Sequence, residues 1–335
     1  MTRVATERPT GAPQQTEPDS APMSDSDAAR NFVALVLHQV LLRVGWIFKT
    51  ESIVMPMFLS LIGGSSTLLG WMPVFNRIGL SIPPLLYARS LKLAPLKNRR
   101  VMSSSMAMAA PFLVLSGVWF SGVWRNGDRV SPWMPYFFLA VYAAFFCVTG
   151  VNQLGMHTLQ GKLVRFDLRG RLFTAGVLVG APIAVLLAWL LLPGWLNQPD
   201  GGFGWVFGFT AIAFLAAGAC LAFTRESPDA YEEPPEAALQ KFRAAWRVLV
   251  HDARARPIAI LAMLISVNLM LFPHYQSLYP RAPGTTAPVR LDQMMLWVCV
   301  QNVGTACFSL IAGPLADRVG NRAALRLAVA GLAAG

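Results

Sequence analysis

From Asn31 onward, long apolar runs alternate with short polar connections, and the runs are continuous rather than alternating residue by residue. They predict helices at about 32–62, 67–88, 101–123, 132–155, 173–193, 203–223, 257–278 and 292–314, with another starting near Arg322. Most hold the ~20 residues that a helix needs to cross a bilayer core. Lipid offers backbone amides no partner, so a crossing segment closes its hydrogen bonds within a helix. A membrane barrel would alternate apolar and polar positions, and these runs do not. The expected fold class is all-α, a polytopic membrane protein with about nine spans in this chain.

The first run exceeds one simple crossing. Its roughly thirty residues rise about 45 Å as a helix, against a core of about 30 Å. It either tilts and projects, or breaks near Thr50-Glu51 or at Pro56. "GGSS" (63–66) then gives a tight turn, with Ser66 able to cap the second span.

Residues 1–30 are rich in Pro, Ser, Thr and acids and lack an apolar signal core, so a disordered tail is expected. Residues 31–223 hold six spans and 257–335 three more. Between them, 224–256 reads as a linker. It is acidic and Pro-rich at first, then "LQKFRAAWRVLVHD" places Leu239, Phe242, Trp246 and Leu249 at helical spacing among basic residues. That second part has the pattern of an amphipathic helix lying on a membrane surface. The ninth run stops about fourteen residues in, with no cap or polar tail, and is read as the start of a longer domain.

Composition agrees with the pattern. The chain is 55% hydrophobic and 13% charged, with mean hydropathy +0.48. Soluble domains carry about twice that charge. The pI of 10.1 and net charge of +11 raise the question of nucleic acid. The positions of the charges answer it. Connections on one side hold Arg89, Lys92, Lys97, Arg99, Arg100, Lys162, Arg165, Arg169, Arg171, Arg225, Lys241, Arg243, Arg247, Arg254, Arg256, Arg318 and Arg322. The opposite connections hold only Arg125, Arg129, Arg281 and Arg290. By the positive-inside rule the rich side is cytoplasmic, and so is the N-terminus. Topology is a sufficient cause of the high pI, and no nucleic-acid partner is expected. Trp124, Trp133, Trp195 and Tyr279 fall near span ends as interface anchors. Cys147, Cys220, Cys299 and Cys307 lie in apolar runs without metal-ligand spacing, and the four histidines are scattered. No metal site or cofactor is expected.

"GPLADRVGNR" (313–322) carries Gly313, Asp317, Arg318, Gly320 and Arg322 between expected spans eight and nine. This Gly-x-x-x-Asp-Arg-x-Gly-x-Arg run resembles the loop motif of the major facilitator superfamily. That family repeats the motif between spans two and three, where "ARSLKLAPLKNRR" keeps the basic residues here but lacks the Asp and the glycines. "LRGR" (168–171) matches a basic position between spans four and five. "GVLVGAP" (176–182) resembles a span-five run common in the family's antiporters, although Gly176 and Gly180 are equally explained as helix contacts.

The resemblance implies two six-helix halves and alternating access around a cavity. It also implies a cytoplasmic gate in which Asp317 meets the start of span five, with Arg169 or Arg171 in reach. A positive-inside anchor accounts for the gate's arginines but not for its Asp. Membrane-depth polar residues are costly and mark cavities. Gln39, Arg43 and Thr50 share one stripe of span one, with Lys49 and Glu51 beside it, and Asn76 and Arg77 lie mid-span in span two. The expected substrate cavity holds Gln39, Arg43, Glu51, Arg77 and, beside Pro273 in span seven, Asn268. Arg43, Glu51 and Arg77 are expected to form an ion-pair cluster, unless Glu51 sits in a loop and Lys49 snorkels outward. Asn152, Gln153, His157, His274, Gln301 and Asn302 are weaker candidates.

The expected function is secondary active transport of a small solute, with the excess positive charge suiting an anion, and with import or export open. Proton coupling, a monomer and an inner (plasma) membrane location are the accompanying expectations. Two alternatives differ in class. One is a transport-inactive sensor or scaffold, which the incomplete first loop motif leaves open. The other is a polytopic transferase, for which only "HDARAR" (251–256) offers clustered polar residues.

Overall fold

The computed structural model describes residues 24–127, 129–165, 168–198, 201–229, 238–253, 255–264 and 319–334, with a few between 296 and 311. These residues are almost wholly helical. Helix α1 (Asp25–Phe48) is followed by α2 (Val54–Leu61), α3 (Ser66–Lys92), α4 (Lys97–Ala107) and α5 (Ala109–Ser121). A two-stranded ribbon, β1 (Arg125–Asn126) against β2 (Arg129–Val130), leads to α6 (Met134–Leu163), α7 (Arg169–Leu196) and α8 (Phe203–Cys220). Then come α9 (Ala238–His251), α10 (Ala255–Leu264) and α11 (Asn321–Ala334).

Five segments are long and apolar enough to cross a membrane: α1, the α4–α5 rod, α6, α7, and α8 with its trailing turn. Helix α3 has the length but carries Asn76, Arg77 and three prolines. The protein is thus an all-α chain with the helices of a membrane-embedded bundle.

The long first run resolves as a break. Helix α1 ends at Phe48, residues 49–53 are non-helical, and α2 resumes at Val54. Pro56 lies within the first turn of α2, where its missing N–H costs nothing. Helix α1 also starts earlier than expected, inside the stretch read as tail. Ser24 caps it by accepting from the Asp27 N–H at 3.2 Å, and Asp25 and Asp27 complement the positive end.

Principal contacts follow a regular plan. Helix α1 packs on α7 and α8, α6 packs on α3 and the α4–α5 rod, and that rod packs on α8. Close approach depends on glycine at two of these seams. A side chain at Gly150 of α6 would strike the Gly79 carbonyl of α3, and one at Gly176 of α7 would land on Gln39 of α1. The packing reading of Gly176 is therefore the geometry observed. Phe58 of α2 anchors the core, with the rings of Trp119, Phe138, Phe203 and Phe207 at 4.8–5.5 Å. Lipid is as apolar as these rings, so the gain comes from packing, about 0.5–1.5 kcal/mol per ring pair.

Two expectations change. Trp124 is not an interface anchor: it is buried, stacks on Trp119 at 3.9 Å and donates to the Trp119 carbonyl at 3.0 Å. Nor does the linker begin free. Residues 224–229 are strapped across one end of the bundle. Asn31 exchanges two hydrogen bonds with the Arg225 backbone, at 2.9 and 2.7 Å. Glu226 has a fully buried side chain, accepting from the Asn98 N–H at 2.7 Å and pairing with Lys162 at 2.8 Å. Asp229 pairs with Lys97 and with Lys162.

Asn98 lies in the first turn of α4, which lacks a side-chain cap, so Glu226 supplies the anion from 128 residues away. Glu226→Ala is expected to cost about 1–3 kcal/mol, the desolvation left by an unmet buried donor. Thermal unfolding checks the loss, and limited proteolysis checks that 224–229 becomes cleavable. Partial burial acts to raise the Asp229 carboxyl pKa, but hydrogen bonds and charge from Lys162 and Lys97 outweigh it and hold the group below its usual value. Its stabilisation is therefore complete above about pH 4 and is lost as pH falls through the lowered value.

Candidate functional site

The break after α1 and the helices around it border an open cavity of about 810 Å³. Helix α1 contributes Gln39, Arg43 and Trp46, the break contributes Thr50 and Glu51, and α3 contributes Asn76 and Arg77. Helix α6 contributes Tyr142, Phe146, Gln153 and His157, and α7 contributes Arg169 and Phe173. Asn302, from the eighth expected span, reaches the same wall. Aromatic faces, neutral amides and arginines thus converge on one space, the composition of a site for a polar small molecule with an apolar body.

Four of the five residues expected in a cavity, Gln39, Arg43, Glu51 and Arg77, line it. Asn268 lies outside the described residues. The expected pairing within the site is not what forms. Glu51 does not pair with Arg43 or Arg77; its carboxylate is taken by Lys49 at 2.8 Å, by the Asn76 amide and by the Tyr142 hydroxyl at 3.4 Å. The reason is local. Ending α1 at Phe48 turns Lys49 inward, so a carboxylate two residues on meets the ammonium directly.

Lys49 does not snorkel outward. Its side chain is 0% exposed, and its ammonium sits 3.6 Å from the ring centroid of Trp46, 4.4 Å from that of Phe145 and 4.5 Å from that of Phe146. Arg43 and Arg77 remain half-buried with no ion-pair partner among the described residues. Arg43 passes beside Gly180, where a larger residue would crowd its aliphatic stem. Asn76 Oδ1 and His38 Nε2 are buried without a partner among the described residues, and both residues line the cavity. His38 is fixed by its other ring nitrogen on the Ala217 carbonyl at 2.8 Å.

Of the weaker candidates, Asn152, Gln153 and His157 all line the cavity, the last two exposed, while the buried Asn152 amide is held by Ser104, Ser105 and the Val101 carbonyl. Of the expected gate, Gly313, Asp317 and Arg318 lie outside the described residues. Gly320 adopts φ +101°, in the region that favours glycine, and Arg322 is exposed. Arg169 closes the end of α6, donating to the carbonyls of Gly161 at 2.7 Å and Val164 at 3.2 Å, and Arg171 is exposed. No protein-family model, curated protein or solved structure matches the chain.

Proposed function

We propose that the chain is a secondary transporter of the major facilitator type, moving a small anionic solute through the cavity by alternating access. The observation that carries this is the charge of the cavity wall. Among the described residues it holds Arg43 and Arg77, neither of them in an ion pair, against the carboxylate of Glu51, which Lys49 already neutralises. A site with that excess attracts an anion and repels cations.

The helix contacts support the architecture. Number α1 with α2 as span one, α3 as two, the α4–α5 rod as three, and α6, α7 and α8 as four to six. Span one then touches five and six, four touches two and three, and three touches six. Exchanging the first three spans with the last three leaves this plan unchanged, as expected of the nested three-helix repeats in each half of such transporters. A monomer in the plasma membrane, coupled to a proton or solute gradient, completes the reading.

Flux decides it. The purified protein in proteoliposomes, screened with labelled small carboxylates, phosphates and amines, is expected to move an anion and no amine. Specific binding of an anion with no flux under any gradient would favour the sensor reading instead. For orientation, the N-terminus is assigned to the cytoplasm. A single cysteine at Arg99 is expected to react with an impermeant maleimide only from the cytoplasmic side, and one at Asn126 only from outside. The reverse labelling would invert the assignment.

A further inference from the structure

Lys49 does no obvious work as a cavity residue, since its ammonium is wholly buried and does not reach the wall. Its surroundings are nevertheless those of a ligand site. Three aromatic rings face one ammonium at 3.6–4.5 Å, and a carboxylate closes the fourth side at 2.8 Å. Aromatic faces around a cation, completed by an anion, are the chemistry by which proteins bind alkylammonium ligands. Two of the rings, Trp46 and Phe146, and the carboxylate of Glu51 also line the cavity, so the cage opens onto the space where solute would sit.

We propose that Lys49 is the tethered occupant of an alkylammonium cage, and that by filling it Lys49 sets the charge selectivity of the cavity. With Lys49 in place, the carboxylate is neutralised, the aromatic faces are taken, and the charges that the described wall offers to solute are those of Arg43 and Arg77. With Lys49 truncated, the same wall presents Glu51 and the faces of Trp46, Phe145 and Phe146 to a free cation. Truncation to Ala keeps Cβ and removes three methylenes and the ammonium, so n-propylammonium replaces what is lost. The surrounding charges set the limit on this exchange. Arg43 of α1 and Arg77 of α3 face the cavity with Glu51, and Tyr142 of α6 donates to it. The arginines oppose a free cation but are held on their own helices, and the carboxylate is nearest.

The inference rests on the transport reading only for the word selectivity; the cage itself is tested by binding. The full chain in neutral-lipid nanodiscs is titrated with n-propylammonium chloride, with n-propanol as the uncharged isostere and sodium chloride as the ionic control. Lys49→Ala is expected to bind n-propylammonium at least tenfold more tightly than the wild type does, and to gain thermal stability with it but not with propanol. Adding Glu51→Gln to Lys49→Ala is expected to weaken the response at least tenfold, leaving only what the rings and the glutamine carbonyl hold. If Lys49→Ala does not fold unaided, n-propylammonium throughout purification is expected to restore folded protein. A variant that stays unfolded in the amine, one that propanol stabilises equally, or one no more responsive than the wild type overturns the cage. None of these results depends on flux, so a failed cage and a failed transport reading remain distinguishable.

Discussion

Glu51→Gln is expected to destabilise the fold by about 2–3 kcal/mol. Removing one partner from a buried ion pair typically costs about 3–5 kcal/mol, because the other charge is left uncompensated. The loss here falls below that range for two reasons. The rings of Trp46, Phe145 and Phe146 retain cation–π attraction for the ammonium, about 2 kcal/mol when desolvated. The glutamine carbonyl can also still accept from Lys49. What is lost is the charge, and with it the anchor that ties the α1–α2 break to Asn76 of α3 and Tyr142 of α6. Lys49→Met together with Glu51→Gln is expected to recover most of the stability, since an apolar chain of similar length suits three aromatic faces and leaves no buried charge. Denaturant unfolding in detergent, read as a shift in midpoint, measures both. A Glu51→Gln variant as stable as the wild type would show that the pair contributes nothing to holding the break.

The break itself shows where sequence reasoning succeeds and where it stops. Length alone makes the run 32–62 too long for one crossing, and Thr50-Glu51 is the polar place for it to fail. The side chains around the break are harder to place. A lysine near the end of an apolar run usually reaches for water, and nothing local says that this one turns inward. The cage that holds it comes from Phe145 and Phe146, nearly a hundred residues away in an unremarkable aromatic run. For the same reason the pairing of Glu51 with an arginine fails: the spacing between charges is visible in the sequence, but the direction of each side chain is not.

The strap at 224–229 gives a second case. Lys97 and Lys162 are read from the sequence as loop charges, but they lie at the ends of α4 and α6 and pair with the acids of "RESPD". Those acids look like solvated linker residues because their partners lie at those helix ends. The signal available was the absence of any capping side chain before α4 and the placement of an acidic run directly after α8. The stripe of Gln39 and Arg43, by contrast, was legible because helical periodicity and the cost of polar groups at membrane depth act within one helix. Asn76 and Arg77 stand out by the same cost, in a helix that also carries Pro73, Pro83 and Pro84.

If the cavity takes an anion as proposed, Arg43→Gln and Arg77→Gln are each expected to weaken its binding roughly ten- to a hundredfold. The two residues approach the cavity from different helices, α1 and α3, and neither has an acidic partner among the described residues. An arginine at mid-membrane costs about 2.5–3.5 kcal/mol when unmet, a cost that a watered cavity reduces and a bound anion reduces further. A charge-assisted hydrogen bond to the anion is worth about 1.5–3 kcal/mol, which is the fold-change stated. Glutamine keeps the length of the stem beside Gly180 and a polar head for the cavity, so folding is expected to survive in both variants. Arg43→Lys and Arg77→Lys retain charge but lose the planar fork, and are expected to fall between the wild type and the glutamine variants. Arg99→Gln, on an exposed arginine at the strapped end, serves as the control and is expected to leave affinity unchanged. Isothermal titration with the anion found by the flux screen, at two salt concentrations, reads each value directly. Wild-type affinity in both glutamine variants would remove these arginines from the site, and with them the case for an anion.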